Sequence, residues 1–248
     1  MRFHFQHRVQ TNAAFLCGCA QRKAYTMSED LQNEITNDYN IKVYLGSLDG
    51  SRGEWVTLPL PEEELDKVYE RCESLGGEAF ILDSYQTPLT EAANYKIDQY
   101  DNIYDLNILA HVASCTDYDP DAIEALASYN SFKNPIEIAN AVYQSDEIPF
   151  EHFTDYDPAL SPEENFANQY LAEIGTSIPE EIEGYIDLQS YGKDLGNDYV
   201  LTSSGALDLS SPSPDLKYFS KEELKEEVSQ FLFPEKEQTE TQSVKRGR

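Results

Sequence analysis

Positive charge is what this sequence has least of: 18 Lys and Arg face 46 Asp and Glu, a formal net charge of −28. Nucleic acid is gripped by cations that displace its counterions, so a folded body with this balance excludes DNA or RNA as its own ligand. Cysteine is scarce as well. Cys17, Cys19, Cys72 and Cys115 form neither a C-x-x-C pair nor a zinc spacing. Free or buried thiols in a reducing, cytoplasmic setting are therefore expected. No stretch reaches the roughly 18 apolar residues that a membrane-crossing helix needs, and no membrane partner is expected.

Motifs that carry chemistry are missing too. There is no G-x-S-x-G elbow, no glycine-rich phosphate loop and no H-E-x-x-H. The acidic body has His111 and His152 alone, and His111 falls in an amphipathic stretch, where a packed or half-exposed imidazole is a plainer reading than a base. Trp55 is the only tryptophan, a thin supply of the platforms that sugar sites use. Pairs of carboxylates for glycoside hydrolysis nonetheless occur in any acidic chain, so a carboxylate-dependent hydrolase stays open as an alternative. Asp117-Tyr118-Asp119-Pro120-Asp121 alternates carboxylates as a calcium loop does, but Ala122 and Ser128 stand where that loop needs Gly and Glu. The reading is a non-enzyme with no catalytic residue, no metal and no cofactor.

What is present is negative charge, unevenly spread. Residues 1–27 carry four bases and no acid, and residues 211–248 are nearly balanced with eight acids and seven bases. Residues 28–210 hold 38 acids against seven bases; within them, 97–192 holds 20 acids and the single cation Lys133. Such self-repulsion disfavours a compact state, so the fold must tolerate it or use it. Solubility or a salt-adapted host is the bland account. Acidic runs are often tails, but these acids are threaded through aromatic-rich amphipathic segments, which points to a folded surface and a basic partner.

The elements follow from periodicity. Ile41–Leu45, Glu54–Leu58 and Ala79–Leu82 read as strands, and Glu62–Leu75 as a helix ended by Gly76-Gly77, a small α+β unit over 40–100. From Asp101 the texture changes to short helices: Ile103–Cys115, Asp121–Tyr129 after Asp119-Pro120, and Ile136–Gln144 after Asn134-Pro135. Over 146–210 follow Glu163–Ile174 after Ser161-Pro162, one helix at Pro179–Gln189, and a hairpin of Tyr199–Thr202 with Ala206–Leu209. Residues 1–39 read as a disordered leader, of which 1–26 are untranslated if Met27 is the true start; a secretory signal is the alternative, but the stretch before Cys17 is too polar for one. Over 211–248 a Ser-Pro linker leads to a short helix, Lys221–Phe231, with Ser220 and Glu223 as a capping box, then a polar tail.

On the outer faces of these helices fall Asp101, Asp105, Asp117, Asp121, Glu124, Glu137, Asp146 and Glu147; Asp98, Asp119, Asp155 and Asp157 complete the candidate partner-binding surface. Helix macrodipoles favour acids at helix starts and account for some of them, such as Asp121 and Glu163. They do not account for the missing lysines at helix ends. Tyr100, Tyr104 and Tyr118 are placed to pack beneath the carboxylates and hold their spacing, with plain core packing as the other reading.

Several segments resemble the ArdA antirestriction proteins. They are Gly53-Glu54-Trp55 followed by Leu58-Pro59, Asp83 with Tyr85, and Tyr100–Val112 containing Leu106-Asn107. Most specific is Tyr185-Ile186-Asp187-Leu188-Gln189-Ser190-Tyr191-Gly192-Lys193-Asp194-Leu195. The likeness spans 41–209; Ile108 stands where a basic or polar residue is expected, and 211–248 has no counterpart. The resemblance implies an elongated, three-part α+β protein: an N-terminal α/β domain, a central short-helix bundle over 101–145 and a C-terminal α+β domain. It further implies a homodimer joined through the C-terminal part. Its partner would be the DNA-binding groove of a type I restriction-modification enzyme, blocked by DNA mimicry without turnover. An acidic protein with another basic partner, nucleoid or ribosomal, is the competing class.

Overall fold

A computed structural model describes residues 39–49, 51–73, 77–210 and 216–232. The expectations for the leader, the Ser-Pro linker and the far tail lie outside them. The chain is a mixed α+β fold with two small antiparallel sheets.

The first sheet has β1 (Ile41–Ser47) between β2 (Gly53–Leu58) and β3 (Ala79–Ser84). Its register pairs Val43 with Val56 and Tyr44 with Trp55, and shifts by a bulge between Tyr44 and Leu45 opposite β3. Alternation does the rest. Ile41, Val43 and Leu45 turn one way and are buried, while Lys42 and Tyr44 take the other face. Helix α1 (Glu62–Cys72) packs Leu65, Val68 and Cys72 onto this sheet.

Helix α2 (Pro88–Ala92) is a feature not read from the sequence, started by a capping box between Thr87 and Thr90. Three short helices follow: α3 (Ile103–Cys115), α4 (Pro120–Tyr129) and α5 (Pro135–Tyr143). Asn102, Asp119 and Asn134 cap them through side-chain oxygens. Helix α3 is buried almost all round, at Ile103, Leu106, Ile108, Leu109, Ala110 and Val112 among others, because the sheet lies on one side and α5 on another. One apolar core runs from Ile41 through these helices to Leu207 and Leu224.

The remainder is built on the second sheet, in which β6 (Gly205–Asp208) lies between β4 (Phe150–His152) and β5 (Tyr199–Leu201). The hairpin of β5 and β6 was expected; β4 was not. Helix α6 (Pro162–Glu173) has the Ser161–Glu164 capping box and is followed by Gly175 at a φ of 69°, a left-handed turn that suits glycine. The single helix expected at Pro179–Gln189 is instead two: one turn, α7 (Glu180–Glu183), and α8 (Leu188–Leu195). The break falls at Asp187, whose carboxylate caps α8 by accepting from the Ser190 N–H, so the chain restarts a helix where periodicity alone runs on. A small separate cluster of Phe153, Phe166 and Ala206 joins α6 to the sheet. Helix α9 (Lys221–Leu232) begins at Ser220, where Ser220 and Glu223 exchange the two expected cap bonds.

Candidate partner-binding surface

Helix starts supply much of the acidic surface. Asp105, Asp121 and Glu137 sit in the first turns of α3, α4 and α5, and none of α3 to α6 carries a basic residue in its last turn. The negative charge is therefore not balanced along any of these helices, and its acids are placed by backbone geometry.

The twelve candidate acids are all at least partly exposed, but they do not form one uniform sheet of charge. Asp98 and Asp101 belong to a tight loop before α3. Asp98 accepts from the Tyr100 N–H at 2.7 Å, and Asp101 accepts from the Asp98 N–H at 2.8 Å and from the Tyr95 hydroxyl. Burial first, then the hydrogen bond to Asp101, pushes the Tyr95 phenol far above its usual range; Asp98 and Glu137 add to the field there. Glu137 is held by the Lys133 N–H at 2.8 Å and the Asn134 amide at 3.2 Å. Asp157 accepts from the Ala159 N–H at 2.9 Å. Asp117, Glu124, Asp146, Glu147 and Asp155 are exposed. Asp105 differs: its side chain is only 18% exposed and lies 3.1 Å from the Lys221 ammonium.

Residues 33 apart meet at the start of α4. One Asp119 oxygen, Oδ1, caps the helix at the Asp121 N–H, and Oδ2 lies 2.8 Å from His152 Nε2, while Asp121 Oδ2 lies 3.6 Å from His152 Nδ1. A protonated imidazole there has a carboxylate at each nitrogen. Among the described residues these three are also the set with potential metal-ligand atoms together, within 4.8 Å of one another. The sequence shows His152 as one of two histidines in the acidic body but not its partners, which lie 33 and 31 residues upstream.

The tyrosines have a role only partly anticipated. Tyr104 donates to Asp66 at 2.9 Å and Tyr143 to Glu227 at 3.0 Å; burial and then these bonds push both phenols up to about 12. Tyr118 packs against the core. Tyr100 is 83% exposed and lies beneath nothing. The residues that hold carboxylates include Tyr95 and Tyr143, which no sequence pattern marked.

The motif residues fall in several places. Trp55 stands on the open face of the first sheet, with Tyr44 at 5.4 Å and Tyr85 at 4.9 Å between ring centroids. Leu106 is fully buried, and the Asn107 amide exchanges two hydrogen bonds with the Leu60 peptide, at 2.8 and 2.9 Å. Asp187 caps α8. Gly192 is buried because α8 lies against α6 there; a Cβ would run into the Glu163 carbonyl oxygen. Tyr185, Gln189, Tyr191 and Asp194 are exposed. With Ile174, Ile182 and Ile186, Tyr185 and Tyr191 give the stretch from α6 to α8 five exposed large apolar side chains.

A family model described as antirestriction protein (ArdA) matches residues 47–208, more than half of the chain. No curated protein matches it.

Proposed function

Because the chain belongs to the ArdA family of antirestriction proteins, we propose that it inhibits a type I restriction-modification enzyme by occupying the DNA groove of the methyltransferase core. The observation that carries this reading is ordered, uncompensated charge: 20 acids against one Lys over residues 97–192, on helices without basic ends. Duplex DNA presents one negative charge per about 1.7 Å of axis, and the cations of an enzyme's groove meet closely spaced carboxylates in the same way. Asp98, Asp101, Asp117, Asp119, Asp121, Glu124, Glu137, Asp146, Glu147, Asp155 and Asp157 are the contact set; Asp105 joins it where Lys221 gives way. Acids already fixed by caps and tyrosines spare much of the ordering cost that a flexible tail incurs on binding. The protein offers no phosphodiester to cut and no base to methylate, so it acts by stoichiometric occupancy, in the cytoplasm where the enzyme meets DNA.

The same reading includes a homodimer. Its support is the run of exposed apolar side chains Ile174, Ile182, Tyr185, Ile186 and Tyr191 along 174–191, since exposed apolar surface beyond scattered single residues marks association sites. Sedimentation of Ile182→Glu/Tyr185→Glu tests it, with a monomer expected.

Titration of the protein into a type I enzyme bound to labelled DNA, at two salt concentrations, tests the main proposal. Saturating displacement near stoichiometry that weakens with salt is expected. No displacement by folded protein overturns it; turnover of any substrate in place of stoichiometric block favours the hydrolase instead.

A further inference from the structure

Helix α9 lies beyond the residues that match the family, 47–208, yet it is docked on the body. Leu224 is fully buried and Val228 is 5% exposed, packed against α3 and α5. The approach to the helix is clamped by two buried amides: Asn140 bonds both the N–H and the C=O of Phe219, at 2.7 and 3.0 Å, and Gln144 donates to the Lys217 carbonyl at 2.9 Å. Both of its lysines pair with carboxylates of the body. Lys221 reaches Asp105 at 3.1 Å and Lys225 reaches Glu62 at 3.0 Å, joining α9 to α3 and α1.

We propose that residues 216–232 form an intramolecular strap over part of the acidic surface, with Lys221 and Lys225 standing where the cations of a basic partner otherwise stand. The near-neutral count of the C-terminal segment thus conceals a division of labour: two of its seven cations, Lys221 and Lys225, are spent on the body's carboxylates. Both ion pairs keep their lysines about half exposed, at 48% and 43%. Exposed pairs are weak and screened by salt, so an incoming groove rich in Lys and Arg can replace them. Asp105, 18% exposed and paired with Lys221, is the candidate acid the strap controls most directly. This inference rests on the proposed function for its partner, but its intramolecular half is measurable without any enzyme.

The test uses the full chain carrying Lys221→Ser/Lys225→Ser, beside Lys67→Ser/Lys193→Ser, which removes the same charge without touching either ion pair. Carbodiimide-driven amidation of Asp105, followed by mass spectrometry, reads masking. Displacement of labelled DNA from the enzyme reads the consequence. Against the control, the strap variant is expected to be modified faster and to inhibit more strongly, each by about two- to fivefold, the range an exposed ion pair is worth. Equal modification overturns the strap whatever the enzyme does. Faster modification with unchanged inhibition overturns its competition with the partner. If wild-type protein displaces no DNA, the proposed function falls, and the amidation rate still decides whether Lys221 and Lys225 shield the surface.

Discussion

At the scale of single residues, two asparagines do the work of a strand edge. Asn107 and Asn140 each present an amide that bonds the backbone N–H and C=O of one residue, Leu60 in the first case and Phe219 in the second. A buried peptide without partners is costly. Asn107→Leu is expected to lower unfolding free energy by about 1–3 kcal/mol, measured by urea denaturation, because it strands the Leu60 N–H and leaves the Leu60 carbonyl to the His111 ring alone. An unchanged midpoint would mean that Leu60 finds water. The Leu106-Asn107 pair was legible as a motif, but its reason was not: the partner lies 47 residues upstream and only the fold brings it near. The tyrosines set a pH response. The phenols of Tyr104, Tyr143 and Tyr199 are pushed up to about 12, in each case by burial first. A folded pKa above the unfolded one gives stability that is complete below the unfolded value, about 10, and is lost as pH rises through about 12. Stability should therefore fall between those limits, and less steeply in Tyr104→Phe/Tyr143→Phe, as followed by urea midpoints at pH values across the window. An equally steep fall would assign the alkaline loss to other groups.

Among elements, starts were easier to read than continuations. Asp119-Pro120, Asn134-Pro135 and Ser161-Pro162 announce α4, α5 and α6, because a capping oxygen and a proline at the first helical position act locally. Thr87-Pro88 gives the same signal for α2, but five residues are too few for a period to draw the eye. Strand β4 escaped for that reason too. The α7–α8 break depends on a cap inside an apparently continuous pattern, and the α6–α8 contact depends on Gly192. Gly192→Ala is expected to cost about 1–3 kcal/mol through overpacking against the Glu163 carbonyl, read as a fall in melting temperature. A variant as stable as wild type would show that α8 can shift on α6 freely.

For the whole molecule, a net charge of −28 makes salt act in two directions. Screening shortens the reach of self-repulsion from about 30 Å at 0.01 M to about 8 Å at 0.15 M, so added salt should raise the melting temperature. The same ions weaken attraction to a basic groove, so inhibition should fall over the same range. Measuring both in one salt series separates a loss of binding from a loss of folding; parallel decline of the two would contradict the charge argument. The α+β class was legible from alternation and helical spacing. The acidic surface was legible as composition, while its anchoring by Tyr95 and His152 needed side-chain contacts that no periodicity shows.

Helices α4, α5 and α6 each restart at a capped proline with acids in the first turn. The chain is thereby graduated like a ruler, with its marks set by the number of residues between restarts. Replacing one acid erases a mark; inserting one residue between Tyr129 and Asn134 moves every later mark against the earlier ones while leaving the total charge untouched. Sequence drift in such a protein should be lenient toward which carboxylates remain and strict about loop length.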